Sequence, residues 1–531
     1  MIKNFYKAAG MAVLSIAALA SCNKDLNRLP SNTATAAQVY SSVAGYKDAL
    51  AKVYGAFALT SSTGPGNSDL GGIDAGTSDF VRLLWDAQEL STDEAVCAWN
   101  DPGVPDFHNL NWTSGNVILD GLYSRCIYQI TVANSFIINS ADGAISKFSA
   151  GQKDTIKQFR AEARFLRAYQ YWVLMDLFAN PPFTTDKSPI GTAFTPPQIT
   201  RPNLFSYIES ELLNLDSANA LVPARQNEYA RADQAAVWAL LARMYLNAEV
   251  YLGSGNGRYT DAITYAGKVI NAGYTLEAKY QDLFLADNNV NNTEQILSIA
   301  YDGENTQNYG GTTFIINAAI GGSMTPANYG VPGGGWGGNR VTSAIPNLFP
   351  DLTGTIDKRS LFYTSGQNLQ IASIATFTDG LAVTKFQNKN SDGSTPANAS
   401  VYASTDFPLF RLAEMYLIYA EAVLRGGNGG SQTQAITYFN QLRQRAYGPG
   451  NGVVTSLLLP DILNERAREL YWECHRRTDL VRYGLFTSGS YLWPWKGGVA
   501  SGTNVSSQYN IFPLPSVDLS ANPNLIQNKG Y

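Results

Sequence analysis

Two histidines, His108 and His475, are all that 531 residues provide. Catalytic triads and zinc sites built on imidazole therefore have almost nothing to be made from. The chain also lacks a Walker loop, a G-x-S-x-G elbow and an H-E-x-x-H pair. Charge is sparse: Asp, Glu, Lys and Arg make up 15%, against about a quarter in an average domain. With a formal net charge of −5 there is no basic footprint for a polyphosphate, so no nucleic-acid partner is expected. What fills the gap is Asn, Gln, Ser, Thr, Gly and Tyr, which hydrogen-bond more than they ionise. The chain is 45% hydrophobic and 12% aromatic, enough for a large core.

Long apolar runs are missing too. The first one, "AAGMAVLSIAALA", follows Lys3 and Lys7 and is too short to span a bilayer. It ends in Leu19-Ala20-Ser21-Cys22, small residues before a cysteine, which resembles a bacterial lipobox. The expectation is cleavage after residue 21 and a lipid on Cys22; the plainer reading is a secretory signal with a chance cysteine. Several acyl chains anchor a protein without a membrane helix. Cys97, Cys126 and Cys474 then remain. An odd count is not a disulfide framework; one Cys97–Cys126 pair, or three buried thiols, would fit.

Helical patterns dominate the rest. "YKDALAKVYGAF" (46–57) is amphipathic, and "GLYSRCIYQITVANSFI" (121–137) is largely apolar. In 159–178, Phe159, Ala163, Leu166, Tyr169, Val173 and Leu177 form one stripe at helical spacing, while Phe165, Ala168, Trp172 and Met175 form a second. Asn180-Pro181-Pro182 stops it. Asp233 is placed to cap a helix over 233–250, which pairs with 259–274; 411–425 pairs with 433–446. Ala-Ile-Thr-Tyr recurs in both second helices, at 262–265 and 435–438, opposite small residues Ala242 and Ala422. This is the logic of tetratricopeptide-like helix hairpins. A last helix is expected over 462–484, with Leu463, Ala467, Leu470 and Cys474 buried and ion-pair spacing at Glu465–Arg468, Glu473–Arg476 and Glu473–Arg477. The fold class is thus mainly α: a scaffold of helix pairs over about 40–274 and 408–531, following a 1–21 leader in a single domain 22–531. A large irregular insertion interrupts it at about 275–408, with strand-like pieces at 294–301 and 312–320.

Three motifs invite chemistry. Glu465, Glu469 and Glu473 share a helix face near His475, as metal ligands would, but the Arg residues crowding that helix favour charge pairing. "GGGWGG" (333–338) matches G-x-G-x-x-G in form only, since no clean strand precedes it and no helix follows. "VCAWNDPGVPDFHNLNW" (96–112) is a polar loop with two tryptophans. A sugar ring has an apolar face and a rim of hydroxyls, and Trp99 beside Asn100 and Asp101 offers partners for both. Trp336, flanked by glycines, with Asn339 and Arg340 behind it, is a second such loop. Core packing is the competing role for any one Trp, and it is the favoured one for Trp112.

The lipobox, "AEARFLRAYQYWVLMDLFANPP", "ADQAAVWALLARMYL", "RLAEMYLIYAEA", "ERARELYWECHRRTDLVRYG" and "IFPLPSVDLSANPNLIQNKGY" together resemble the SusD/RagB family of outer-membrane nutrient-binding lipoproteins of Bacteroidetes, as does "STDEAV" (91–96). Cys474 departs from the family's usual small residue. The resemblance implies tetratricopeptide-like helix pairs and no catalysis; no cofactor is expected and no residue is assigned to a metal. It implies a lipid-anchored protein facing the exterior that captures glycan for a SusC-like TonB-dependent barrel. The family's loop-built ligand surface corresponds in position to Trp99 and the 301–340 region. The candidate ligand residues are Trp99, Asn100, Asp101, Tyr301, Tyr309, Trp336, Asn339 and Arg340. A RagB-like peptide binder, a glycoside hydrolase using Asp93 and Asp101, and a purely structural lid are the alternatives.

Overall fold

The computed structural model describes residues 35–189 and 194–531. The leader and Cys22 lie outside the described residues. Two units are distinguished, Met1–Leu50 and Ala51–Tyr531. In chain order the first elements are α1 (Ala36–Val39), α2 (Val43–Ala58), α3 (Phe80–Gln88), the short strand β1 (Val96–Cys97), α4 (Val104–Asn109), α5 (Val117–Asn139) and α6 (Ala150–Phe178). Then come α7 (Arg201–Ser217), α8 (Gln234–Leu246), α9 (Ala248–Leu252) and α10 (Tyr259–Ile270). The insertion holds β2 (Gln295–Ile299), α11 (Gly311–Ala318), β3 (Asn339–Arg340), β4 (Phe362–Tyr363) and β5 (Ala382–Val383). The chain ends with β6 (Phe407–Arg411), α12 (Leu412–Leu424), α13 (Gln432–Tyr447), α14 (Leu459–Leu470), α15 (Arg476–Arg482) and α16 (Ser516–Ala521). Among the described residues no helix is long and apolar enough to cross a membrane.

The helices form a continuous row: α5 on α6, α6 on α7, α7 on α8, α8 on α10, α10 on α12, and α12 on α13. Both stripes of α6 are buried, and the helix ends at Phe178, two residues before Asn180-Pro181-Pro182. Asp233 caps α8, its Oδ1 accepting from the amides of Ala235 and Ala236 at 2.8 and 3.2 Å. The repeated tetrapeptide plays the same part twice. Ala262 and Ala435 are fully buried, Thr264 and Thr437 each bond the carbonyl one turn back, and Tyr265 and Tyr438 pack on Tyr245 and Tyr416 of the facing helix. The long insertion does not separate the two hairpins, because its ends are tied together: β2 pairs antiparallel with β6, leaving α10 free to pack directly on α12.

Two expectations about local structure are corrected. Residues 312–320 read as a strand from their β-branched run, yet 311–318 is α11. Asp79 Oδ1 accepts from the Gly311 amide (2.7 Å), Thr312 donates to the Thr405 carbonyl, and every residue of the helix is buried. Tertiary contacts override a weak local preference. The helix expected over 462–484 is broken into α14 and α15, with Trp472 and Cys474 in the left-handed region (φ 66° each). The amides freed there are taken up by acids from 89–94: Trp472 donates to Glu94 (2.8 Å) and Cys474 to Glu89 (2.5 Å). Arg476 pairs with Asp93 rather than with Glu473, and Arg477 lies over the Phe512 ring. Of the three predicted ion pairs, Glu465–Arg468 forms.

The glutamates of α14 are bound by cations. Glu465 meets Arg359, Arg443 and Arg468; Glu469 meets Arg359, Arg411 and Arg445; Glu473, just beyond α14, meets Lys385 and Arg411. Burial alone would raise Glu465, but its guanidinium neighbours pull it down to about 2. Their oxygens are engaged by nitrogen donors, which leaves this face a structural ion network. Among the described residues Cys97, Cys126 and Cys474 are buried and free.

Candidate functional site

The site starts from two residues of ladder. β1 pairs antiparallel with β3, Val96 opposite Arg340 and Cys97 opposite Asn339, and Ala98 extends the pairing by donating to the Gly338 carbonyl (2.8 Å). Trp99 leaves one end of this ladder and Trp336 enters it, so both indoles emerge at the same place. Their ring centroids are 6.5 Å apart, tilted by 44°. Tyr309 follows at 6.4 Å from Trp336, tilted by 46°, and Tyr402 at 5.2 Å from Tyr309, tilted by 52°. Tyr309 is 41% exposed, and the other three are half-buried. Four aromatic rings thus form an arc in which each is turned relative to the last.

The glycines around Trp336 are there for close approach. A Cβ on Gly338 would lie 2.5 Å from the Trp99 ring, and one on Gly321 would lie 2.7 Å from Gly337. Gly335 and Gly337 adopt positive φ (96° and 59°). Trp99 rests on Phe314 of α11 (6.1 Å). The Arg82 guanidinium lies 4.5 Å over that same ring and 5.9 Å from Trp99. Beside Trp99 and Trp336 opens a cleft of about 640 Å³ lined by Asp74, Arg82, Asp101, Pro102 and Ile118. Asp74 is oriented by Thr77, whose amide and hydroxyl it accepts from at 3.0 and 3.2 Å. Arg82 Nε is buried without a protein acceptor. An aromatic surface with charged, planar hydrogen-bonding groups at its edge suits a polyhydroxylated ligand.

The structure brings Trp99, Asp101, Trp336 and Tyr309 together, and leaves Asn100 exposed beside them. It removes three candidates from the surface. Tyr301 is buried with its ring against Gly311. Arg340 is fully buried and donates to the carbonyls of Asp379, Gly338, Ile374 and Thr376. It is a clamp for the 374–379 loop, because a guanidinium this enclosed needs protein acceptors. Asn339 is fully buried in β3. Asp93, the proposed hydrolytic partner of Asp101, is buried against Arg476 (2.6 Å) and Tyr491 (2.5 Å). Sequence reasoning missed Tyr402, Asp74 and Arg82. The cap at Asp79 followed by Arg82 one turn in was the available signal for the last. Trp112 is core, as its position before α5 suggested: it packs on Phe107, Tyr509 and Phe512. His108, expected in this loop, is pushed down to about 4 by burial and then by Arg340. Among the described residues no group of three His, Cys, Asp or Glu side chains could hold a metal.

Residues 354–531 match the sequence profile of the SusD family, and residues 98–246 match a SusD-like profile described as starch-binding and associating with the outer membrane. The starch-binding protein SusD of Bacteroides thetaiotaomicron is 35% identical over 100% of this chain and 99% of its own. Among solved structures, a SusD homolog from the same organism superposes with a TM-score of 0.74 at 18% identity, covering 94% of this chain and 99% of that one. Surface glycan-binding protein A from Bacteroides fluxus does so at 0.68 and 21%, covering 92% and 99%.

Proposed function

The chain belongs to the SusD family, and from that premise we propose that it binds a starch-type α-glucan at the cell surface on the arc Trp99–Trp336–Tyr309–Tyr402. The observation that carries the reading is the tilt between neighbouring rings, 44°, 46° and 52°. An α-1,4-linked glucan curls, so the apolar faces of successive glucoses turn relative to one another. A β-1,4-linked ribbon is flat and would call for coplanar rings. Arg82, Asp74 and Asp101 at the cleft supply donors and acceptors for the hydroxyl rim. The starch-binding relative supports the same ligand class.

The protein on this reading holds glycan without cleaving it. It is anchored through lipid on Cys22 in the outer membrane, faces the exterior and passes its ligand to a SusC-like TonB-dependent barrel. The lipobox and the outer-membrane description of the matching profile support the placement; the barrel partner rests on the family.

Calorimetric titration with maltoheptaose, alongside a panel of β-glucans and peptides, tests the ligand. Saturable binding of maltoheptaose, with the sugar unchanged after long incubation and the affinity weakened in Trp99→Ala, is expected. Binding of a β-glucan or peptide in its place would overturn the α-glucan assignment, and release of shorter sugars would overturn the non-catalytic one. Co-purification of a barrel from outer membranes tests the partner.

A further inference from the structure

Asn317, the seventh residue of α11, is fully buried and touches both loops that carry the arc. Its Nδ2 donates to the Val401 carbonyl at 2.8 Å, next to Tyr402, and to the Thr313 carbonyl one turn back at 2.8 Å. Its Oδ1 accepts from the Gly335 amide at 3.2 Å, next to Trp336. Its own carbonyl accepts from the Trp336 amide at 2.8 Å. Two further amides of the glycine-rich loop are satisfied close by, Gly338 on Ala318 and Gly337 on Ile320, both at 2.8 Å. The loop therefore closes the C-terminal end of α11, using carbonyls that a helix end leaves without partners. On the far side the loops also meet directly, Gly333 donating to Ser400 at 3.4 Å.

We propose that Asn317 is a positioning residue for the ligand surface: one buried amide fixes the Trp336 loop relative to the Tyr402 loop and so sets the curvature of the arc. The proposal deepens the glycan-binding reading and rests on it for its consequence in affinity. The amide suits the task because it is donor and acceptor at once, and each function faces a different loop. Gly334 is the matching half of the device. A Cβ there would lie 1.6 Å from Asn317 Oδ1, so any side chain at 334 pushes the loop off the amide. Gly334 is not among the glycines with positive φ, so this contact, not backbone strain, is what an alanine would violate. The aromatics touch ligand; Asn317 acts through them.

The test uses the full chain labelled with 5-fluorotryptophan, with the Trp99 and Trp336 fluorine resonances assigned from Trp99→Phe and Trp336→Phe. In ligand-free Asn317→Ala these two resonances should shift and broaden while those of the core tryptophans Trp85, Trp112 and Trp472 stay put. Gly334→Ala changes no buried side chain and should reproduce the effect from the loop side. Maltoheptaose affinity should fall about tenfold in each, as expected when one or two side chains must be re-ordered on binding. The double variant should bind no worse than Asn317→Ala alone, because the clash partner is gone. Unchanged Trp99 and Trp336 resonances in both single variants would overturn the proposal, as would losses that multiply in the double variant. These resonances are read without ligand, so a wild-type protein that ignores maltoheptaose would sink the α-glucan reading and leave the loop test standing.

Discussion

The indole Nε1–H of Trp99 donates to the main-chain carbonyl of Trp336, 3.2 Å away. Each tryptophan of the arc is thus part of the other's support, and the bond runs from one ligand loop to the other across 237 residues of sequence. Trp99→Ala should weaken glycan binding by about 1–3 kcal/mol, the burial of one large side chain, with a melting curve lowered far less than that of Trp112→Ala. Trp99→Phe keeps a ring but not the bond, and should fall between wild type and alanine. Calorimetry paired with thermal melts checks both; normal binding with an early melt in Trp99→Ala would make Trp99 core.

Trp112 is the internal control. It is 1% exposed, its indole donates to the Tyr531 hydroxyl at 2.9 Å, and Tyr509 and Phe512 pack against it at 5.1 and 4.8 Å. Trp112→Ala should cost about 3–5 kcal/mol of stability and Leu166→Ala about 2–5, as large-to-small core changes do. The fraction that remains folded should bind maltoheptaose normally. Denaturant melts measured with and without the sugar separate the two effects.

The scaffold was legible because it is periodic. Stripes in 159–178 encode burial at helical spacing and are buried as read, and the repeated Ala-Ile-Thr-Tyr buries its alanine in both copies. What failed was non-local. Nothing near 471–474 announces a break in the helix, because the groups that satisfy it, Glu89 and Glu94, lie almost 400 residues away. The site was half legible for the same reason. Trp99, Asp101 and Trp336 stand out by composition, a polar loop and a glycine run. Tyr301, Asn339 and Arg340 have the same composition, yet a ladder and a loop clamp bury them. Tyr402 and Arg82 enter the site only through contacts that span the chain.

The proposed attachment through lipid makes a sharp prediction at Cys22. Cys22→Ala should leave the protein in the soluble fraction after cell disruption, because on the proposed reading the acyl chains on Cys22 are the anchor. Fractionation in a strain without the barrel partner checks it. A variant that still sediments firmly with outer membranes there would overturn the lipoprotein assignment.

Buried acids near the α14–α15 break give the fold a pH signature. Burial raises Glu94 to about 7, with hydrogen bonding to Glu89 and the charge of Arg476 opposing and Asp93 adding to the rise. Burial and the neighbouring Glu94 also hold Glu89 well above its ordinary value. Below the ordinary value of 4.5, Glu94 is neutral folded or unfolded and contributes no slope. Between 4.5 and about 7 the unfolded chain loses the proton while the fold keeps it, so stability falls as pH rises; above about 7 the loss is complete. The wild-type curve alone does not isolate this. His108 and His475 are both lowered by burial and tilt stability the other way below their ordinary value of 6.5. The difference between Glu94→Gln and wild type cancels the histidines and leaves Glu94 with the Glu89 it bonds, because glutamine mimics the protonated acid and can still accept from the Trp472 amide. That difference should move in favour of the variant from pH 5 to about 7, by roughly 1.4 kcal/mol per unit at most, and then level off. Urea melts at half-unit intervals would show it. A difference that stays constant from pH 5 to 8 would mean that Glu94 is already ionised inside the fold, and that Arg476 outweighs burial at this site.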